Sequence, residues 1–131
     1  MPHLTLEYTS NLAQKAPTPD LLLRVHGILG SAAGIRIGNC KSRWREVDSW
    51  VVGDGSKESA FIHLDIRLLE GRPLDVRQAI GTGALQVLTD HFLPGPEGVD
   101  LQITVEVLEI GKATYFKDPP GALTPPAAAQ A

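Results

Sequence analysis

The sequence predicts an α+β fold: two βαβ units in tandem, forming a four-stranded mixed sheet with two helices on one of its faces. Three observations carry this expectation. Apolar and polar residues alternate from Pro2 to Tyr8 and again from Ala60 to Leu69, the period-two pattern of half-buried strands. Each of these segments is followed by a stretch with helical apolar spacing, and each helical stretch by another strand-like segment. A right-handed crossover then makes the two strands of each unit parallel and sets the helices on one side. A ferredoxin-like sheet shares this element order and stays open as an alternative at this level.

In the first strand Leu4, Leu6 and Tyr8 alternate with His3, Thr5 and Glu7. Pro2 lacks a backbone N–H, which costs nothing at the first position of a strand. After a loop over residues 9–17, Thr18-Pro19-Asp20 supplies an N-cap, a first-turn proline and an acid near the positive end of the dipole. Leu21, Val25, Ile28, Leu29 and Ala32 recur at helical spacing, and Gly34 ends the helix. The second strand is predicted from about Cys40 to Val52, with Lys41, Arg43 and Arg45 on one face and Glu46 and Asp48 on the other. Gly53-Asp54-Gly55 turns the chain into the third strand, where Ile62, Leu64, Ile66 and Leu68 oppose His63, Asp65 and Arg67. The second helix starts near Pro73 and carries Ile80, Ala84, Val87, Leu88 and His91 on one stripe. Gly81 and Gly83 weaken it, and Pro94-Gly95-Pro96 ends it. Leu101 to Ile110, rich in branched residues, is the last strand. Residues 1–117 form the expected domain, and the Pro- and Ala-rich residues 118–131 read as a disordered tail.

A chain of 131 residues, 43% of them hydrophobic, suits one domain able to bury a core. The net charge of -3 leaves no broad cationic field, so neither nucleic acid nor a membrane is expected as a partner. Cys40 is the sole cysteine, which excludes an intrachain disulfide and a cysteine-based zinc site. His3, His26, His63 and His91 lack metal-ligand spacing, and no metal is expected. The first ten residues carry no signal-peptide pattern, and no apolar run approaches the ~20 residues of a spanning helix, so a cytoplasmic location is expected.

The cationic residues and the start of the chain are the candidates for chemistry. Methionine aminopeptidase removes the initiator when a small residue follows, which would leave Pro2 with a free secondary amine, a base that needs no side chain. Arg72 falls in the turn Leu69-Glu70-Gly71-Arg72-Pro73, just before a helix N-terminus, where backbone N–H groups also attract anions. Lys41, Arg43 and Arg45 repel one another on one strand face, and an anion would relieve them. A solvated edge strand whose cations deter aggregation accounts for them as well. Glu7 and Asp65 read as solvated or ion-paired.

Several segments together carry a resemblance. They are Met1-Pro2-His3-Leu4, Asn11, Lys41-Ser42-Arg43-Trp44, Val47-Asp48-Ser49-Trp50, Asp54-Gly55, Ala60-Phe61-Ile62-His63, and Gly71-Arg72-Pro73-Leu74 with Arg77-Gln78. In register from Pro2 to about Gln78, the chain resembles the 5-carboxymethyl-2-hydroxymuconate Δ-isomerases of the tautomerase superfamily. Val105-Glu106-Val107 and Thr114-Tyr115-Phe116-Lys117 extend the similarity. The Leu-Glu-Gly-Arg turn also resembles that of 4-oxalocrotonate tautomerase.

The resemblance implies a tautomerase-type βαβ-βαβ fold and an isomerase that uses no cofactor. It makes Pro2 the general base and gives Arg72 the binding of a substrate carboxylate or carbonyl. The family's second arginine falls here on Lys41, which keeps the charge but lacks the planar fork; Arg43, on the same face, can supply that fork. Phe61 and Trp50 are candidates for an apolar wall of the substrate site. A small polycarboxylate substrate from aromatic-acid catabolism and a homotrimer, with sites built partly from a neighbouring chain, are also implied. The alternatives are a tautomerase for another hydroxydienoate and a non-catalytic module that binds a small ligand.

Overall fold

Strands and helices follow the expected order in the computed structural model, which describes residues 1–120. They are β1 (His3–Thr9), α1 (Pro19–Ala33), β2 (Lys41–Val47), β3 (Ser59–Leu69), α2 (Leu74–Phe92) and β4 (Asp100–Ile110), with short 3-10 turns at Ser10–Lys15, Ile37–Asn39 and Lys112–Thr114. Of the tail expected over 118–131, the part beyond residue 120 lies outside the described residues.

The sheet order is β2-β1-β3-β4. β1 is parallel to β2 and β3 is parallel to β4, while β1 and β3 run antiparallel at the centre. The two strands of each βαβ unit are therefore immediate neighbours. A ferredoxin-like sheet splits its units, so that alternative is set aside.

The local signals act as expected. Thr18 Oγ1 accepts the Leu21 N–H at 3.3 Å, and Gly34 closes α1 in the left-handed conformation (φ 64°) that its missing Cβ permits. Leu4, Leu6, Ala60, Ile62, Leu64 and Ile66 are fully buried beneath the helices. The helices touch each other at Gly83, where a Cβ would come within 2.7 Å of Ile28 Cγ2. The absence of a side chain there sets how closely they approach.

Three sequence expectations are corrected. β2 stops at Val47 rather than Val52, because its partner β1 ends in register at Thr9. Residues 48–58 leave the sheet, and Trp50 sits in that loop, where its indole N–H donates to the Ser59 carbonyl at 3.2 Å. On α2 it is Phe92, not His91, that enters the core; His91 stays at the edge, with Nε2 2.9 Å from the Lys15 carbonyl oxygen. On α1, Leu22 and His26 are buried while Ile28 and Ala32 are only half-buried, because this helix packs on α2 as well as on the sheet.

The opposite sheet face is not covered by any described element. It carries Lys41, Arg43 and Arg45 at the β2 edge and Asp65 and Glu106 toward the β4 edge. Among the described residues, no helix is long and apolar enough to cross a membrane.

Candidate active site

The topology converges on the start of β1. Because β1 and β3 are antiparallel, His3 pairs with Arg67 near the end of β3, and the turn that follows holds Arg72 at this end of the sheet. Because β1 and β2 are parallel, His3 also pairs with Lys41, whose main-chain N–H donates to the Pro2 carbonyl at 3.1 Å. β4, parallel to β3, places Ile110 beside Leu69 and delivers the chain after it to the same end. The Glu70 carboxylate then accepts the Lys112 N–H at 2.7 Å, which fixes the segment that leads to Tyr115 and Lys117.

Pro2 is buried, and Met1 is only 6% exposed. The α-amine of Met1 is held below the ordinary range of such amines, first by burial and then by the charges of Arg72, Lys41 and Lys117; the thiol of Cys40 acts weakly the other way. Burial in turn pushes the Cys40 thiol up. The neutral form of a terminal amine is thus favoured where cations gather. Gly71, at φ 116°, lets the chain turn after β3, and the Arg72 guanidinium donates to the Leu69 carbonyl at 3.2 Å.

The β2 cations do not act alike. Arg45 pairs with Glu7 on β1 at 2.9 Å, which relieves part of the repulsion along the strand. Lys41 faces the terminus. Arg43 Nη2 lies 3.2 Å from His3 Nδ1, and His3 Nε2 lies 2.8 Å from the Tyr115 hydroxyl. The His3 imidazole is held below its usual range, first by burial and then by Arg43, Lys41, the terminal amine and Arg67.

Pro2, Arg72, Lys41 and Arg43 therefore share one end of the sheet. Phe61 and Trp50 do not join them within one chain. The Phe61 N–H donates to Thr9 Oγ1 at 3.2 Å, at the far end of β1, roughly 20 Å from Pro2 at the usual rise per strand residue. Sequence reasoning passed over Lys117 and Tyr115 as site residues. The signal was present in the expected topology, since a β4 parallel to β3 must release its following chain beside Arg72.

Elsewhere, His63, Asp65 and Glu106 form a group with metal-ligand atoms among the described residues. His63 Nε2 is 2.7 Å from Asp65 Oδ1 and Nδ1 is 2.6 Å from Thr104 Oγ1, so the ring is already engaged on both sides. A groove of about 360 Å³, lined by Asn11, Leu12, Lys15, Phe92 and Pro94 among others, lies at the end of the sheet away from Pro2.

Residues 2–120 match the sequence profile of the 5-carboxymethyl-2-hydroxymuconate isomerase family. The chain is 28% identical over 117 residues to the 5-carboxymethyl-2-hydroxymuconate Delta-isomerase of Escherichia coli, covering 89% of this chain and 93% of that protein. It superposes with a TM-score of 0.80 and 33% identity on the crystal structure of a 5-carboxymethyl-2-hydroxymuconate isomerase from Deinococcus radiodurans R1, over 89% of this chain and 88% of the other. A fused 4-OT described as a symmetric trimer shares the fold, with a TM-score of 0.62, 16% identity and coverage of 88% and 91%.

Proposed function

Because the chain belongs to the 5-carboxymethyl-2-hydroxymuconate isomerase family and is an isomerase, we propose that Pro2, freed by removal of Met1, is its general base. The substrate on this reading is 5-carboxymethyl-2-hydroxymuconate. The observation that supports it most is the buried place of Pro2 at the chain start, where Arg72, Lys41 and Lys117 already act on the Met1 amine one residue away. Burial and cations favour a neutral amine, and the same cations favour a bound polycarboxylate.

The neutral prolyl nitrogen takes the proton of the substrate's 2-hydroxyl. The O–H electron pair becomes the new carbonyl π bond, the double bonds shift along the chain, and the far carbon takes the proton back from the prolinium. Nothing is consumed, so no cofactor is required. Arg72 and Lys41 bind carboxylates and stabilise the oxyanion that develops. Arg43 spends one N–H on His3 and keeps others for a second carboxylate. On this reading the enzyme works in aromatic-acid catabolism, in the cytoplasm.

We also infer a homotrimer. Among the described residues, the uncovered sheet face and the unpaired β2 and β4 edges leave surface for neighbouring copies, and the opposed charge of those two edges suits a head-to-tail ring. Phe61 and Trp50 then serve a site only as contributions from a neighbouring copy. Lysine at position 41 favours, as a second reading, the same chemistry on another hydroxydienoate.

The test is turnover of 5-carboxymethyl-2-hydroxymuconate by protein shown by mass spectrometry to lack Met1, beside Pro2→Ala. Loss of the base is expected to lower kcat/KM by about 10²- to 10⁴-fold. No turnover by the processed, folded protein would overturn the substrate, and equal turnover by Pro2→Ala would overturn the base.

A further inference from the structure

His3 and Tyr115, which continue the hydrogen-bond chain from Arg43, have no part in the mechanism above, and the directions of these bonds can be worked out. A guanidinium can only donate, so His3 Nδ1, 3.2 Å from Arg43 Nη2, accepts. The ring is then neutral with its proton on Nε2, which donates to the Tyr115 hydroxyl oxygen at 2.8 Å. The phenol is thereby made an acceptor toward His3, and its own O–H has no partner among the described residues. The remaining surroundings agree: Lys41 and Arg67 flank His3 on both neighbouring strands, and burial and these cations oppose a second proton on the imidazole.

Tyr115 is also held where it can matter. It follows the turn fixed by Glu70 on Lys112, its ring meets His3 edge-on at 6.0 Å, and Lys117 two residues later acts on the terminal amine. We propose that Tyr115 is a substrate-contacting residue whose free O–H donates to an anionic oxygen of the bound polycarboxylate, with His3 as the positioning residue that turns the hydroxyl outward. The proposal rests on the reading of Pro2 as the base. It adds a neutral donor, beside the cations, to the group that holds the substrate.

Two measurements test it on the full, Met1-free protein. The first is steady-state turnover of 5-carboxymethyl-2-hydroxymuconate by Tyr115→Phe, His3→Leu and His3→Gln, with Pro2→Ala alongside. Tyr115→Phe is expected to lose about 10- to 100-fold in kcat/KM, the worth of one hydrogen bond to a charged acceptor, with no change in melting temperature. His3→Leu should lose a similar factor, and His3→Gln, whose amide can accept from Arg43 and donate to Tyr115, should recover part of it. The second is the ¹⁵N spectrum of the wild-type His3 ring at pH 7, which should show a neutral imidazole protonated on Nε2. Wild-type kcat/KM in Tyr115→Phe while Pro2→Ala collapses would overturn this inference alone, as would a protonated Nδ1. Full activity in Pro2→Ala would overturn the reading beneath it and this inference with it.

Discussion

The main-chain N–H of Lys41 donates to the carbonyl of Pro2 at 3.1 Å. This bond extends the β1–β2 ladder past its last paired residues and ties the start of the chain to the strand that carries two of the site's cations. Since the backbone makes it, changing the Lys41 side chain leaves it intact. Lys41→Ala should therefore shift stability by no more than about 0.5 kcal/mol, the ordinary range for an exposed site, while kcat/KM falls at least tenfold. Lys41→Arg should keep most activity. Turnover beside a thermal melt separates the two effects.

Acid should weaken the fold through His26. This ring is buried, its Nε2 lies 2.6 Å from Ser42 Oγ, and burial holds its pKa below the usual value. The unfolded chain then binds a proton more readily than the folded one. The stability that His26 contributes is fully present above the ordinary imidazole value of about 6.5 and is lost as pH falls below it. Urea midpoints across pH 5 to 8 should show this decline, and His26→Gln should reduce it, leaving the part that the likewise depressed His3 contributes.

Two helix glycines should respond in opposite directions. At Gly27 an added Cβ meets nothing within 4 Å, so Gly27→Ala should stabilise by about 0.5–1 kcal/mol through helix propensity. At Gly83 the Cβ would fall 2.7 Å from Ile28 Cγ2. Gly83→Val forces the helices apart and should cost about 1–3 kcal/mol. Denaturant titration of both variants checks the pair.

The open sheet face should be an interface. Sedimentation is expected to give three times the chain's mass. Asp65→Arg, which reverses the charge on that face beside His63, should shift the protein toward smaller species at physiological salt. A monomer at micromolar concentration with full turnover would remove the trimer from the account.

The elements were legible where one physical signal dominated. Thr18-Pro19 and Gly34 marked both ends of α1, and the alternation of Ile62, Leu64, Ile66 and Leu68 marked β3. Trp50, Val51 and Val52 look strand-forming, whereas β2 ends where its partner β1 runs out, a limit that no local pattern records. Arg72 was legible from its turn. Tyr115 was not, because its meeting with His3 joins residues 112 apart and needs the strand order as well as the strands. Phe61 and Trp50, candidates for an apolar wall, lie at the far end of β1 from Pro2 within one chain, and which residues a neighbouring copy brings to a site is not written in one chain's sequence.

The most direct test follows the Pro2 nitrogen itself. In Met1-free protein labelled with ¹⁵N-proline, the shift of that nitrogen is recorded across pH. The account predicts titration well below that of the same amine in a free prolyl peptide, and activity that falls as pH drops through the same value. An amine that titrates at or above the peptide value would be protonated at neutral pH, and Pro2 could not then be the base.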